Sequence, residues 1–265
     1  MTRRLPVEFL YQIFSLIVAV IIVHATYVSM IRPQADAILL ERGILMEQDA
    51  HYVPPRSLYV IIRDFEQETC FILMLWAFAL MGYKAVATSK ERGFVYEKLV
   101  DVGEGMSILP EDTREYARSL QAMDPEQQRR LLPRALLAAL HRFRSTKSIQ
   151  DVSNVVKNIC DTEYERMDTE LSMVRYLAWA IPSVGFIGTV RGIGQALGRA
   201  NEAVGGDISG VTQSLGVAFN STFVALVISI VLMFLLHQLQ EAQERLVLDS
   251  QAYIDEQLIR YLQVR

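Results

Sequence analysis

Four side chains bearing hydroxyl or amide groups sit deep inside otherwise apolar runs: Thr189 in one, and Asn220, Ser221 and Thr222 in the next. The runs are RYLAWAIPSVGFIGTVRGIGQAL (175–197) and VTQSLGVAFNSTFVALVISIVLMFLLHQL (211–239), joined by the Gly-rich GRANEAVGGDISG. Each is long enough to cross a bilayer, which takes about 20 helical residues. A polar side chain at that depth needs a hydrogen-bonding partner or a water-lined path. Threonine hydroxyls can bond a carboxylate or a hydrated ion, but they do not titrate near neutral pH. None of the apolar segments carries Asp or Glu within its core. A proton path through this chain alone would lack its acid–base group, which a partner carboxylate would supply.

The same two segments also read as a packing device. Gly185, Gly188, Thr189, Gly192 and Ala196 recur at helical spacing in the first, and Ser214, Ala218, Ser221, Ala225 and Ser229 form one stripe in the second. Small residues let membrane helices approach closely. Pro182 sits inside the first run, where it bends a helix or acts as a hinge.

Composition sets the class around these segments. The chain has 265 residues, of which 51% are hydrophobic, and the apolar residues come in blocks. The expected fold is all-α: a polytopic membrane protein with four transmembrane helices, two of them extended into a cytoplasmic helical bundle. A net charge of −4 gives no reason to expect a nucleic-acid partner. Cys70 and Cys160 lack metal or redox spacing, and no catalytic constellation or phosphate-cradling loop is evident. The chain is therefore read as a non-enzyme with no cofactor and no metal site.

In order, residues 1–31 hold the N-terminal region and the first membrane helix, read as retained rather than cleaved after Ala25. Residues 32–69 read as an extracytoplasmic loop broken by Pro33, Pro54 and Pro55, with SLYVIIRDF as a short amphipathic piece at the membrane surface. The second membrane helix occupies 70–87, and Lys84 is positioned to snorkel. Residues 88–174 form a polar helical domain, 175–198 the third membrane helix, 199–210 a short outer loop, 211–238 the fourth, and 239–265 a cytoplasmic tail. Arg3 and Arg4 favour a cytoplasmic N-terminus, which puts the C-terminus there too. Asp124-Pro125-Glu126-Gln127 and Ser148-x-x-Asp151 read as helix starts. From Ser148 to Leu197 the pattern predicts one helix roughly 75 Å long. Leu239, Leu246 and Tyr253 recur every seven residues in the tail, as in a helix packed on the cytoplasmic bundle.

AIPSVGFIGTVRGI (180–193) resembles the APxxGxxGTVxGI motif of the MotA/TolQ/ExbB proton channel (stator) family, and VTQSLGVAFNSTF continues the resemblance into the next helix. The match covers about 65 residues, 175–239. The resemblance puts Thr222 on the family's pore threonine and Thr189 on its partner. It implies a homo-oligomer, a pentamer, around a small ExbD/TolR/MotB-like subunit whose single membrane helix carries an ion-binding Asp. It also implies the bacterial inner membrane, surrounding lipids, and ion flow coupled to rotation or force. The conducted ion is H⁺ as the commoner case, with Na⁺ equally compatible with hydroxyls. Val217 stands where TolQ and ExbB carry a glutamate, and Arg191 is an unusual charge two residues past Thr189. A non-conducting membrane scaffold or receptor subunit remains the alternative. Arg191 is expected to pair with Glu202, Asp207 or a neighbouring subunit. Between Gln127 and Gln150 there are only basic charges, and Arg142 and Arg144 are candidates for docking an acidic cytoplasmic partner.

Overall fold

A computed structural model of the chain describes residues 7–48, 52, 55–103 and 106–264. Arg3, Arg4 and Pro54, used above for orientation and loop breaking, lie outside the described residues. Among those described there are helices and no strand, with one parallel bridge between Ile108 and Leu262. Four helical stretches are long and apolar enough to cross a membrane: Glu8–Met46, Phe65–Val95, Ile149–Gly198 and Ser209–Tyr261.

The chain forms two compact units, one comprising Met1–Met81 with Met173–Leu236 and the other Gly82–Ser172 with His237–Arg265. The first contains α1 (Val7–Thr26), a π turn (Tyr27–Ile31), α2 (Arg32–Gln48), α3 (Leu58–Ile61) and the first half of α4 (Phe65–Val95). It also holds α9 (Ser172–Gly198), α10 (Ala200–Val204) and most of the apolar part of α11 (Ser209–Gln257). Tyr11 donates its hydroxyl to the Ala79 carbonyl at 3.0 Å, and the Trp76 indole donates to Gln12 O at 3.0 Å, which ties α1 to α4.

Two expectations need correction here. Residues 32–48, read above as loop, are helical and continue α1. Pro33 was taken as a breaker because it lacks an N–H. The π turn absorbs it: Arg32 N–H bonds Tyr27 O, five residues back, so the hydrogen-bond register changes just before the proline. SLYVIIRDF yields only the four-residue α3.

The second unit holds the rest of α4, α5 (Thr113–Gln121), α6 (Pro125–Gln128), α7 (Leu131–Thr146), α8 (Ile149–Glu170) and the end of α11. Both helix starts form. Asp124 N–H reaches Gln127 Oε1 at 3.4 Å, and Ser148 Oγ accepts Asp151 N–H at 3.2 Å. Leu131, Leu132, Leu136, Leu140 and Phe143 of α7 are buried with Val152 and Val156 of α8, with Leu246 and Ile254 of α11, and with Leu258 just past its end. The heptad reading of the tail holds at Leu239 and Leu246, which are buried; Tyr253 uses its hydroxyl to receive Leu99 N–H at 2.9 Å. The helix predicted from 148 to 197 is present as one helical stretch, Ile149–Gly198, in which a single turn residue, Leu171 (φ −87°, ψ −2°, still right-handed), separates α8 from α9. No proline or glycine marks that turn in the sequence.

Lys84 is not simply snorkelling, since its ammonium meets Glu170 Oε2 at 2.6 Å. Cys70 and Cys160 are both free and buried.

Candidate functional site

The seam between α9 and α11 is built by subtraction. A Cβ added at Gly188 would lie 2.5 Å from the Ser221 side chain, and one at Gly192 would lie 2.7 Å from Ala218 Cβ and 2.8 Å from backbone atoms of α11. Gly185 is equally tight against Ala225. Each glycine of the first stripe thus faces a small residue of the second, and the helices touch at backbone distance. Ser214, Ala218, Ser221 and Ala225 are all buried there.

Pro182 sits inside α9 and cannot donate to Ala178 O, its partner one turn back. Ser229 of α11 donates its hydroxyl to that carbonyl at 3.2 Å, so the vacancy is filled from the neighbouring helix. The stripe therefore carries one polar contact that its small size alone does not announce.

About two turns further along the seam, the close approach brings Thr189 and Thr222 into direct Oγ1 contact. Thr189 Oγ1 lies 3.1 Å from Ala218 O, and Thr222 Oγ1 lies 3.1 Å from Gly185 O. The pair holds two hydroxyl protons and has two kinds of acceptor within reach: each other's hydroxyl oxygen and a carbonyl from the opposite helix. Hydrogen bonds can therefore be redistributed without either side chain leaving its place. Both threonines are half-buried, so one flank stays accessible.

The other two polar candidates diverge from this pair. Ser221 is fully buried and donates to Val217 O at 2.7 Å within its own helix, beneath Gly188. Asn220 is half-buried, and two residues from Thr222 at about 100° each puts it on the opposite flank of α11.

A charged layer lies beside the seam and was not legible as one in the sequence. Arg191 pairs with Glu66 of α4 at 2.7 Å, rather than with Glu202 or Asp207 as expected. Glu66 is placed there by the glycine seam: its Cγ is 3.1 Å from where a Gly188 Cβ would be. Arg191 Nε is buried without a hydrogen-bond partner among the described residues, and Glu66 is the carboxylate within ion-pair distance of the guanidinium. Two residues on, Glu68 receives His24 Nδ1 at 2.7 Å and also pairs with Arg32. Gln67 between them is fully buried, with its amide donating to Ile61 O at 3.1 Å. Burial pushes the Asp64 carboxyl above its usual range, opposed by Arg63 and Arg191. Glu66 and Glu68 directly precede the apolar run at Cys70, the one sequence signal that could have drawn attention to them.

The basic stretch of the second unit divides into two groups. Arg130 pairs with Glu91 at 3.5 Å, and Glu91 also accepts Leu131 N–H at 3.0 Å at the start of α7. Arg134 meets the buried Glu163 at 2.7 Å. Arg142 and Arg144 are exposed, but they leave α7 about 160° apart and do not form one surface. Among the described residues no cluster of His, Cys, Asp and Glu could hold a metal ion.

Residues 126–252 match the model of the MotA/TolQ/ExbB proton channel family. That span takes in both threonines and the whole α9–α11 seam, and it extends past the 175–239 resemblance at both ends, into α6 through α8 and well into the tail. Searches among curated proteins and among solved structures give no match.

Proposed function

We propose, from a chain that carries a MotA/TolQ/ExbB proton channel family domain over residues 126–252, that it is the channel-forming subunit of an ion-driven membrane motor. The observation that carries this reading is the contact between Thr189 and Thr222 across two helices packed at glycine distance. A hydroxyl pair of this kind can bond a carboxylate or a hydrated ion, and it has no titratable group of its own. The acid–base step then belongs to a small partner subunit whose single membrane helix carries an Asp. In this reading the chain assembles as a homopentamer around that partner in the bacterial inner membrane, with both termini and the second unit in the cytoplasm. Protons, or Na⁺, pass between the threonines and the partner Asp, and the resulting motion is delivered to another protein.

A second reading has one observation in its favour: both hydroxyls also have backbone acceptors within the chain, as a helix clasp in a non-conducting scaffold would. Cross-linking separates the two. The complex is purified with its copurifying single-helix subunit, Thr222→Cys is introduced here, and the partner's membrane Asp is replaced by Cys. Rapid disulfide formation between the two is the expected result. Absence of any copurifying subunit with a membrane Asp, or no cross-link from position 222 while the exposed neighbour, as Phe223→Cys, does cross-link, would favour the scaffold.

A further inference from the structure

We propose that the groove between α5 and α7 is a binding site for a phosphorylated anion. The groove encloses about 320 Å³ and is lined by Arg114 and Arg118 from α5 and by His141 and Arg144 from α7, over a floor that includes Ala117 and Leu140. Arg114 and Arg118 are four apart on one helix face, and His141 and Arg144 are three apart on the other, so all four side chains converge. Like charges at such spacing repel one another. Two arginines of the same stretch that lie outside the groove are matched with carboxylates, Arg130 with Glu91 and Arg134 with Glu163. Among the described residues no carboxylate lies within ion-pair distance of Arg114, Arg118 or Arg144, and the groove has no acidic residue in its lining. The fold thus compensates the basic residues that hold α7 in place and leaves the ones around the groove uncompensated.

The chemistry of the lining selects the ligand class. Guanidinium groups present planar forks that match the oxygens of phosphate or carboxylate two at a time. Three of them with an imidazole gather more positive charge than one carboxylate neutralises, whereas a phosphate carries close to two charges and has three acceptor oxygens. The volume falls at the lower end of small-molecule pockets, and the floor gives an apolar surface for the rest of a ligand. Arg142 leaves α7 on another flank and is not part of the lining, which makes it an internal control. The inference is independent of the ion-pathway reading, since no residue of the α9–α11 seam takes part.

Phosphate could come from a soluble compound or from a lipid headgroup, and two arms of one experiment separate these. The purified full-length protein in detergent is titrated with inorganic pyrophosphate by calorimetry. The same protein is tested for binding to neutral vesicles with and without phosphatidic acid. Saturable pyrophosphate binding, weakened at least tenfold by Arg118→Gln and by Arg144→Gln but not by Arg142→Gln, would assign a soluble ligand. Phosphatidic acid dependence with the same pattern of variants would assign a headgroup. Circular dichroism of each variant establishes that these exposed substitutions leave the fold intact. The proposal is overturned if neither probe binds, if Arg142→Gln weakens binding as much as the groove variants, or if only an acidic polypeptide such as polyglutamate binds.

Discussion

Neutralising Glu66 alone should cost about as much as neutralising Glu66 and Arg191 together. The two groups are 2.7 Å apart, with Glu66 largely buried (12% exposed) and Arg191 partly so (37%). At an effective dielectric constant near 20 the Coulomb attraction is about 6 kcal/mol before desolvation. Burying both charges, and the screening that the exposed part of Arg191 retains, removes more than half of that. Glu66→Gln leaves a guanidinium whose Nε already lacks a partner, at an expected cost of about 3 kcal/mol. Arg191→Gln, leaving a buried carboxylate beside Gly188, should cost a similar amount. In the double variant neither charge is stranded, and the two amides can still bond each other, so the loss should also stay near 3 kcal/mol. The coupling energy is then about 3 kcal/mol, well above the few tenths seen for independent sites. Denaturant unfolding in detergent, followed by tryptophan fluorescence, measures all four corners of the cycle. A coupling energy within about 0.5 kcal/mol of zero would refute the reasoning, because the two charges would then be independent.

Other outcomes follow from the same geometry. Gly192→Ala should lose about 1–3 kcal/mol because its Cβ meets α11 backbone, whereas Gly194→Ala, with open space around it, should be neutral or stabilising by up to about 1 kcal/mol; thermal unfolding of the pair compares them directly. Ser229→Ala should cost about 1 kcal/mol by stranding the Ala178 carbonyl opposite Pro182, with Ser229→Thr retaining most of the stability in the same assay. Asp64 has its carboxyl raised by burial, so its contribution is fully favourable below the unfolded-state value and is lost as pH rises through the folded-state value. Asp64→Asn should therefore flatten the fall in stability as pH rises from about 4 towards neutrality, and an unchanged pH profile from thermal unfolding would show that Asp64 does not contribute. Cys70 and Cys160, both buried, should label slowly with maleimide until denaturant is added.

The sequence was most informative where residue type leaves one physical option. Glycine and serine at helical spacing inside apolar runs imply close helices, and Gly188 against Ser221 and Gly192 against Ala218 meet that expectation. Thr189 and Thr222 stood out as hydroxyls deep inside apolar runs, and in the fold those hydroxyls touch. Sequence proximity misled where pairing is long-range. Glu202 and Asp207 are near Arg191 along the chain, but its partner Glu66 is 125 residues away and is delivered by the packing of α4 on the glycine seam. Pro33 implied a break, yet a π turn can shift the hydrogen-bond register so that the missing donor costs nothing. Leu171 has the side chain of a good helix former, and nothing local in the sequence marks the turn there. Arg142 and Arg144 looked like neighbours along the chain, whereas the helix sends them to different flanks.

The central claim is that the Thr189–Thr222 pair flanks the ion path. It is tested most directly by ion flux into liposomes containing the complex with its single-helix partner, driven by an imposed pH gradient and read with an internal dye, with Na⁺ flux measured in parallel. Thr222→Val keeps the shape of the side chain and removes its hydroxyl; Thr222→Ser keeps the hydroxyl. The expected result is flux near background for Thr222→Val and for Thr189→Val, and substantial flux for Thr222→Ser, with all three assembling like the wild type. Undiminished flux in both valine variants would contradict the claim and leave the threonine pair as a clasp between two helices.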